Sequence, residues 1–279
     1  MDYADTLPKQ RGFGETTRPD AWWLQPLVVF LGFSAFIIYS TWAAFQGVND
    51  LKTGVPSYWF GDNGANYLSP FYSPEFWGVS PHSIGHLPPS WFPNWLPFSP
   101  AFLILWIPAG FRFTCYYYRG AYYKSFWADP INCAVGEPRK TFLGERYFPL
   151  IIQNIHRYFF YLAALFIVLL SHDAWKGMWF TDLTGAKHFG LGVGTVVMML
   201  NAFFLAMYTF GCHSLRHLIG GFLDSKTKAP SCAKAYDCVS CLNRKHMMWA
   251  WISLFWVGFT DVYIRLCATG KIHDHFFTF

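Results

Sequence analysis

The sequence predicts an all-α integral membrane protein whose five transmembrane helices form a bundle with a cytoplasmic N-terminus. Three observations predict it. Of 279 residues, 53% are hydrophobic and 22% aromatic against only 13% charged, a balance that water-soluble domains of this length do not carry. Five stretches approach the ~20 apolar residues that a helix rising 1.5 Å per residue needs to cross about 30 Å of hydrocarbon. The Lys and Arg residues gather on alternate connecting segments, as the positive-inside rule requires. The 30 Phe, 16 Tyr and 14 Trp exclude a disordered chain, and no heptad or Gly-X-Y period supports a coiled coil or collagen.

The elements follow in chain order. Residues 1–21 form a cytoplasmic arm: MDYADTLPKQRGFGETTRPD lacks the basic start and apolar core of a signal peptide. The expected spans are 22–45, 100–118, 149–170, 191–212 and 247–266, helical because hydrocarbon leaves the backbone no outside partner and no ten-residue in-out alternation suggests a barrel. Together residues 22–268 make the membrane domain, and 269–279 an outer tail. The arm (Lys9, Arg11, Arg18) and the loops 119–148 (Arg119, Lys124, Arg139, Lys140, Arg146) and 213–246 (Arg216, Lys226, Lys228, Lys234, Arg244, Lys245) are basic and read as cytoplasmic. The other side holds Lys52, Lys176, Lys187 and Lys271. Because the net charge of +5 resides in these loops, it does not imply nucleic acid. The outer loop 47–99, rich in Pro and aromatics, reads as an interfacial cap.

That topology sorts the chemically informative residues to one end. Cys115, Cys133, His156, Arg157, Cys212, His213, His217 and His246 fall at the cytoplasmic end; His82, His86, His172, His188, His273 and His275 fall at the outer end with no cysteine constellation. His213 and His217 stand at i and i+4, so their rings share a helix face and suit a common metal or, equally, a hydrated boundary. Mixed Cys and His donors point to zinc or an iron-sulfur centre rather than calcium or magnesium. Cys232, Cys238 and Cys241 contain a single CxxC, a weak metal signal whose fourth ligand would be His246. Asp261 and Arg265, four apart, are expected to pair near the outer end. Arg112, Tyr116, Arg119, Arg157 and Tyr158 form a donor-rich aromatic layer that suits either a quinone headgroup or anchoring at lipid headgroups.

The blocks TCYYYRGAYYKSFW, PINCAVGEP, FPLIIQNIHRYFFY, CHSLRHLIGG, NRKHMMWAWISLFWVGFTDVYIRL and TGKIHDHFF resemble the single-chain, five-helix membrane anchor of one class of bacterial succinate dehydrogenase (complex II). The resemblance covers the chain from about residue 100 onward. It implies a multi-pass cytoplasmic-membrane subunit that performs no succinate chemistry itself. Its partners would be a flavoprotein subunit and an iron-sulfur subunit, and electrons would pass to quinone, expected to be menaquinone, through an embedded Rieske-type [2Fe-2S] cluster without haem. The soluble Rieske spacing of C-x-H with C-x-x-H is absent. The ligands expected on that implication are Cys115 and Cys133 on one iron and His213 and His217 on the other, with Cys212, His156 and His246 in reserve.

Three alternatives compete. A haem b anchor needs only imidazoles, such as His156 with His213 or His246, and leaves the cysteines without a role. A membrane-embedded metal hydrolase or di-iron oxygenase wants more carboxylates or His pairs than the second loop, with Glu137 and Glu145, offers. A transporter would show internal repeats and charges at the membrane midplane, and neither is evident.

Overall fold

The computed structural model describes residues 12–85, 91–93, 95, 97–138, 146–148, 150–182, 184–221 and 229–279. Lys9, Arg11, His86, Arg139, Lys140, Glu145, Lys226 and Lys228, named above, and residue 149 at the edge of the third expected span lie outside the described residues.

The chain is mostly helical. Among the described residues four helical stretches are long and apolar enough to cross a bilayer: Leu24–Thr53, Leu150–Lys176, Val193–Phe210 and His246–Ala268. The first, α1 (Leu24–Thr53), runs eight residues past its expected end. It is apolar around most of its circumference, with Ala43, Ala44, Gly47 and Asp50 its only buried residues, as a helix surrounded by lipid should be.

The expected continuous span 100–118 is instead three short helices: α2 (Pro100–Ile104), α3 (Trp106–Phe113) and α4 (Tyr116–Ala121). Pro108 explains the first break. Having no N–H, it cannot bond the carbonyl of Ile104, where α2 ends. The second break falls at Cys115, whose extended backbone (φ −70°, ψ 131°) caps α4. The remaining long helices are α5 (His156–Lys176), entered through a 3₁₀ turn at Leu150–Ile155, α6 (Val193–Phe210) and α9 (His246–Ala268). The expected loop 213–246 is itself largely helical, as α7 (His213–Gly220) and α8 (Pro230–Arg244).

The chain forms two compact units. The first comprises residues 1–35 and 112–155. In it the arm runs beside the loop after α4. Gly14 N–H donates to Gly136 O (3.0 Å), Gly136 N–H to Glu15 O (2.9 Å) and Thr16 Oγ1 to Ala134 O (2.9 Å). Arg18 reaches the Cys133 carbonyl (3.0 Å) while its guanidinium also grips Asp20, holding that exposed carboxyl below its usual range.

The second unit comprises residues 36–111 and 156–279, in which α6 packs along both α5 and α9. Small sheets that the sequence reading did not anticipate decorate it: β1 (Trp59–Phe60) with β2 (Tyr67–Leu68), and β3 (Trp179–Thr181) with β4 (Lys187–Gly192) and β5 (Phe276–Thr278), all antiparallel. The tail is thus the third strand of a sheet. Its Asp274 accepts the Gly194 N–H (3.0 Å) at the first turn of α6 and the hydroxyls of Tyr67 (2.7 Å) and Tyr263 (2.6 Å). Gly192, the N-cap of α6, has no side chain to cap with; a Cβ there would lie 2.4 Å from the Tyr67 hydroxyl, so the tail supplies the cap.

Asp261 and Arg265 pair as expected, Nε to Oδ2 at 2.8 Å. Asp261 also accepts from Tyr39 (2.5 Å) and from Ser69, and Arg265 donates to Ser57 (2.7 Å) and the Ala43 carbonyl (3.1 Å). The pair therefore joins α1, the segment after it and α9. Beside it Tyr58 stacks flat on Tyr72 at 3.9 Å, and the Tyr72 hydroxyl bonds the carbonyl of Ala43 (2.6 Å) and accepts from Gly47 N–H (2.9 Å).

Candidate cofactor site

In the first unit, Cys115 is buried at 2% exposure. Its N–H bonds the Arg112 carbonyl (3.1 Å), closing the tight turn that ends α3. Arg112 is buried and donates to the Tyr118 hydroxyl at 2.5 Å. Arg119 lies over the exposed Tyr116 ring at 4.2 Å and reaches Gln153 Oε1 at 3.5 Å, and Gln153 in turn reaches the Tyr122 hydroxyl at 3.5 Å. Cys133, by contrast, is exposed. Its N–H is capped by Asn132 Oδ1 (2.8 Å), and the next residue, Ala134, takes a positive φ of 61°.

In the second unit, His156 begins α5 and Cys212 ends the turn after α6. The helices bring His156 Nε2 within 3.1 Å of Cys212 Sγ. Cys212 is 1% exposed and caps α7, its sulfur accepting the Ser214 N–H at 3.4 Å. The His156 ring also bonds the backbone of Phe111, whose ring stacks flat on it (4.7 Å, 7°). His246, the first residue of α9, is buried at 1% exposure and stacks on Tyr208 (4.9 Å, 24°). A Cβ on Gly211 would lie 3.3 Å from His246 Nδ1, so glycine beside Cys212 leaves that imidazole room.

The expected pair His213 and His217 does share one face of α7, with ring centroids 6.3 Å apart, but both are exposed. So are Arg157 and Tyr158, which pair with each other (5.9 Å). Burial therefore singles out Cys115, Cys212 and His246, with His156 partly enclosed. The spacing rule favoured His213 and His217 because i,i+4 is visible in one dimension; the burial of Cys212 and His246, and the partial enclosure of His156, come from three helix ends meeting. Each does open or close an apolar run, which was the available signal. Among the described residues no group of three or more His, Cys, Asp or Glu side chains lies close enough to hold a metal ion. His156 Nε2 and Cys212 Sγ do face each other directly, and imidazole and thiolate are the donor types that a mixed Cys and His centre uses.

The sequence model of the family described as actinobacterial succinate dehydrogenase subunit SdhC matches residues 24–270. The chain belongs to this SdhC family. As an SdhC-type membrane anchor, it is a multi-pass subunit of a succinate dehydrogenase complex. It is similar to a chain of the Mycobacterium smegmatis Sdh1 complex in the apo form, with 42% identity over 96% of both chains and a TM-score of 0.79. No curated protein matches it.

Proposed function

We propose that this SdhC-family chain anchors a flavoprotein and an iron-sulfur subunit to the membrane and relays their electrons through a Rieske-type [2Fe-2S] cluster to quinone, expected to be menaquinone. The observation that carries the reading is the partly buried contact between His156 Nε2 and Cys212 Sγ. A thiol and an imidazole in hydrogen-bond contact at the meeting of two helix ends are donors that can turn to a shared inorganic centre. His246 is a second imidazole, fully buried. This set replaces His213 and His217, whose exposure suits hydration better than a low-dielectric redox site.

When bound, such a cluster supplies one-electron transfer at a potential raised by its neutral imidazole ligands. The chain's own residues do the rest. The Phe111 backbone contact orients His156, as outer partners of ligating histidines do. Phe111 and Tyr208, both buried, keep water from the imidazoles. Arg119, Gln153 and Tyr122 offer a line of donors for quinone carbonyls, and Arg112 with Tyr118 a second. The basic segments orient this end to the cytoplasm, where the soluble subunits would dock.

Low-temperature EPR with an optical spectrum on the dithionite-reduced, detergent-purified complex tests the proposal. A Rieske-type signal that disappears in His156→Ala and Cys212→Ala complexes is the expected result. Haem bands, or a signal indifferent to both substitutions, would overturn it.

A further inference from the structure

The sheet formed by β3, β4 and β5 has two faces that differ in kind. Cross-strand partners project to the same face of a sheet, and neighbours along a strand to opposite faces. One face carries Phe180, Gly190 and Phe276 and packs inward: Phe180 is buried in a cluster with Met198 and Ile264, and Phe276 stacks on it (4.6 Å, 18°). The pairs Trp179 with Phe189 and Leu191 with Phe277 lie on the other face, joined there by Phe279, whose N–H bonds the Phe189 carbonyl (2.8 Å). That face is bare. Phe189 and Leu191 are exposed, and Phe277 and Phe279 stand 76% and 79% exposed. Its rings touch in sequence, Trp179 to Phe189 at 5.7 Å and Phe189 to Phe279 at 6.4 Å.

A contiguous apolar patch of this kind marks a membrane or a protein contact. Continuity decides between them. Exposed Tyr161, Leu165, Val168 and Trp175 run at helical spacing along α5, and Trp175 touches Trp179 (5.9 Å). Exposed Val193, Val196, Met199 and Phe203 do the same on α6, and Leu191 precedes Val193 by one residue of strand, Gly192. The bare face therefore prolongs the surfaces that both spans turn to lipid. With 18 residues α6 measures about 27 Å against roughly 30 Å of hydrocarbon, and a strand residue adds about 3.3 Å, so the end of β4 makes up the difference. From α6 back along β4 the exposed side chains run Val196, Val193, Leu191, Phe189, Lys187. Aliphatic, then aromatic, then cationic is the order of hydrocarbon, interface and phosphate in a leaflet. A protein partner would impose no such order.

We propose that this face of the β3–β4–β5 sheet lies in the bilayer interface, its aromatic side chains among the lipids of the leaflet in which α5 ends and α6 begins, with Lys187 at the phosphates. The C-terminal strand is then a membrane-contacting element rather than an appendage in water. Because β5 is the last strand in the sheet order, its outward backbone groups need water, which headgroup depth supplies and hydrocarbon does not.

The test uses the purified complex in phosphatidylcholine vesicles that include a phosphatidylcholine with a diazirine on its acyl chain. After illumination, lipid adducts are located by peptide mass spectrometry. Phe189, Phe277 and Phe279 are expected to be labelled like Val196 on α6, and Thr184, exposed in the turn between β3 and β4, about tenfold less. Labelling of the three Phe residues no greater than that of Thr184 would overturn the proposal. So would an unlabelled Val196, since the lipid-facing stripe that the sheet prolongs would then be absent. A second arm treats intact membranes with an amine-reactive cross-linker. Lys187 joined in high yield to another protein would put a protein over this face and overturn the proposal; Lys187 joined to an aminophospholipid, or to no protein, supports it.

Discussion

Removing the Asp261 carboxylate should destabilise this protein more than most single substitutions would. Asp261 accepts from Tyr39 (2.5 Å), Ser69 and Arg265 Nε (2.8 Å). The side chains of the ion pair are 0% and 8% exposed, so solvent does not screen it. Asp261→Ala leaves the Arg265 guanidinium buried without its carboxylate, the situation that costs about 3–5 kcal/mol where one partner of a buried pair is removed. Arg265 keeps Ser57 and the Ala43 carbonyl, which argues for the lower part of that range. Replacing both charges by apolar groups, Asp261→Leu with Arg265→Met, should recover a large share of the loss, because an absent pair needs no desolvation. The assay is unfolding of the detergent-solubilised complex followed by tryptophan fluorescence; Trp42 lies 5.6 Å from the Arg265 guanidinium and reports locally. A single variant within about 0.5 kcal/mol of the parent, below the usual effect of a core substitution, would refute the reasoning. So would a double variant whose loss equals the sum of the two singles.

Other outcomes are equally concrete. His156→Ala and Cys212→Ala should abolish quinone reduction while succinate oxidation with a soluble acceptor persists, whereas His213→Ala with His217→Ala should retain quinone activity; reversal of these results would restore the spacing-based assignment. His82 is buried beside Asp173 (3.7 Å) and holds Asn66 Oδ1 (2.6 Å), with His172 and Lys176 also facing it, and burial pushes its imidazole below the usual histidine range. Its folded-state pKa is depressed, so the neutral ring's contribution is complete above about pH 6.5 and is lost as pH falls below it; melting temperatures should drop there and His82→Asn should flatten the profile. Asp274→Ala should cost about 1 kcal/mol for the α6 cap and roughly 1.5–3 kcal/mol for each hydrogen bond to the charged acceptor, read as faster proteolysis of the tail.

Four spans were legible because hydropathy is local: α6 and α9 begin and end within two residues of expectation, while α5 begins seven residues late, after a 3₁₀ turn, and ends six residues late. Asp261 and Arg265 were legible for the same reason, an i,i+4 pair in an apolar run. The 100–118 segment was misread because apolar composition outweighed Pro108, whose missing N–H acts on one hydrogen bond that a window average does not see. In the candidate site the individual donors were legible and their contacts were not. Cys212 and His156 were noted as donors, yet their contact spans 56 residues of sequence and depends on how α5 and α6 pack. His213 and His217 carry a visible pattern, and their exposure depends on what α7 packs against. The Asp274 cap spans 80 residues and carries no local sign at all.

That last distance has a meaning for biogenesis. Gly194 emerges from the ribosome 80 residues before the carboxylate that caps it. At about 5–20 residues per second, the first turn of α6 waits roughly 4–16 s for Asp274. During that interval α6 is in place without its cap, and β4 lacks its neighbour β5. That end of the second unit is therefore completed only after synthesis of the last helix. Any delay in placing those final residues is a delay in finishing a helix made long before.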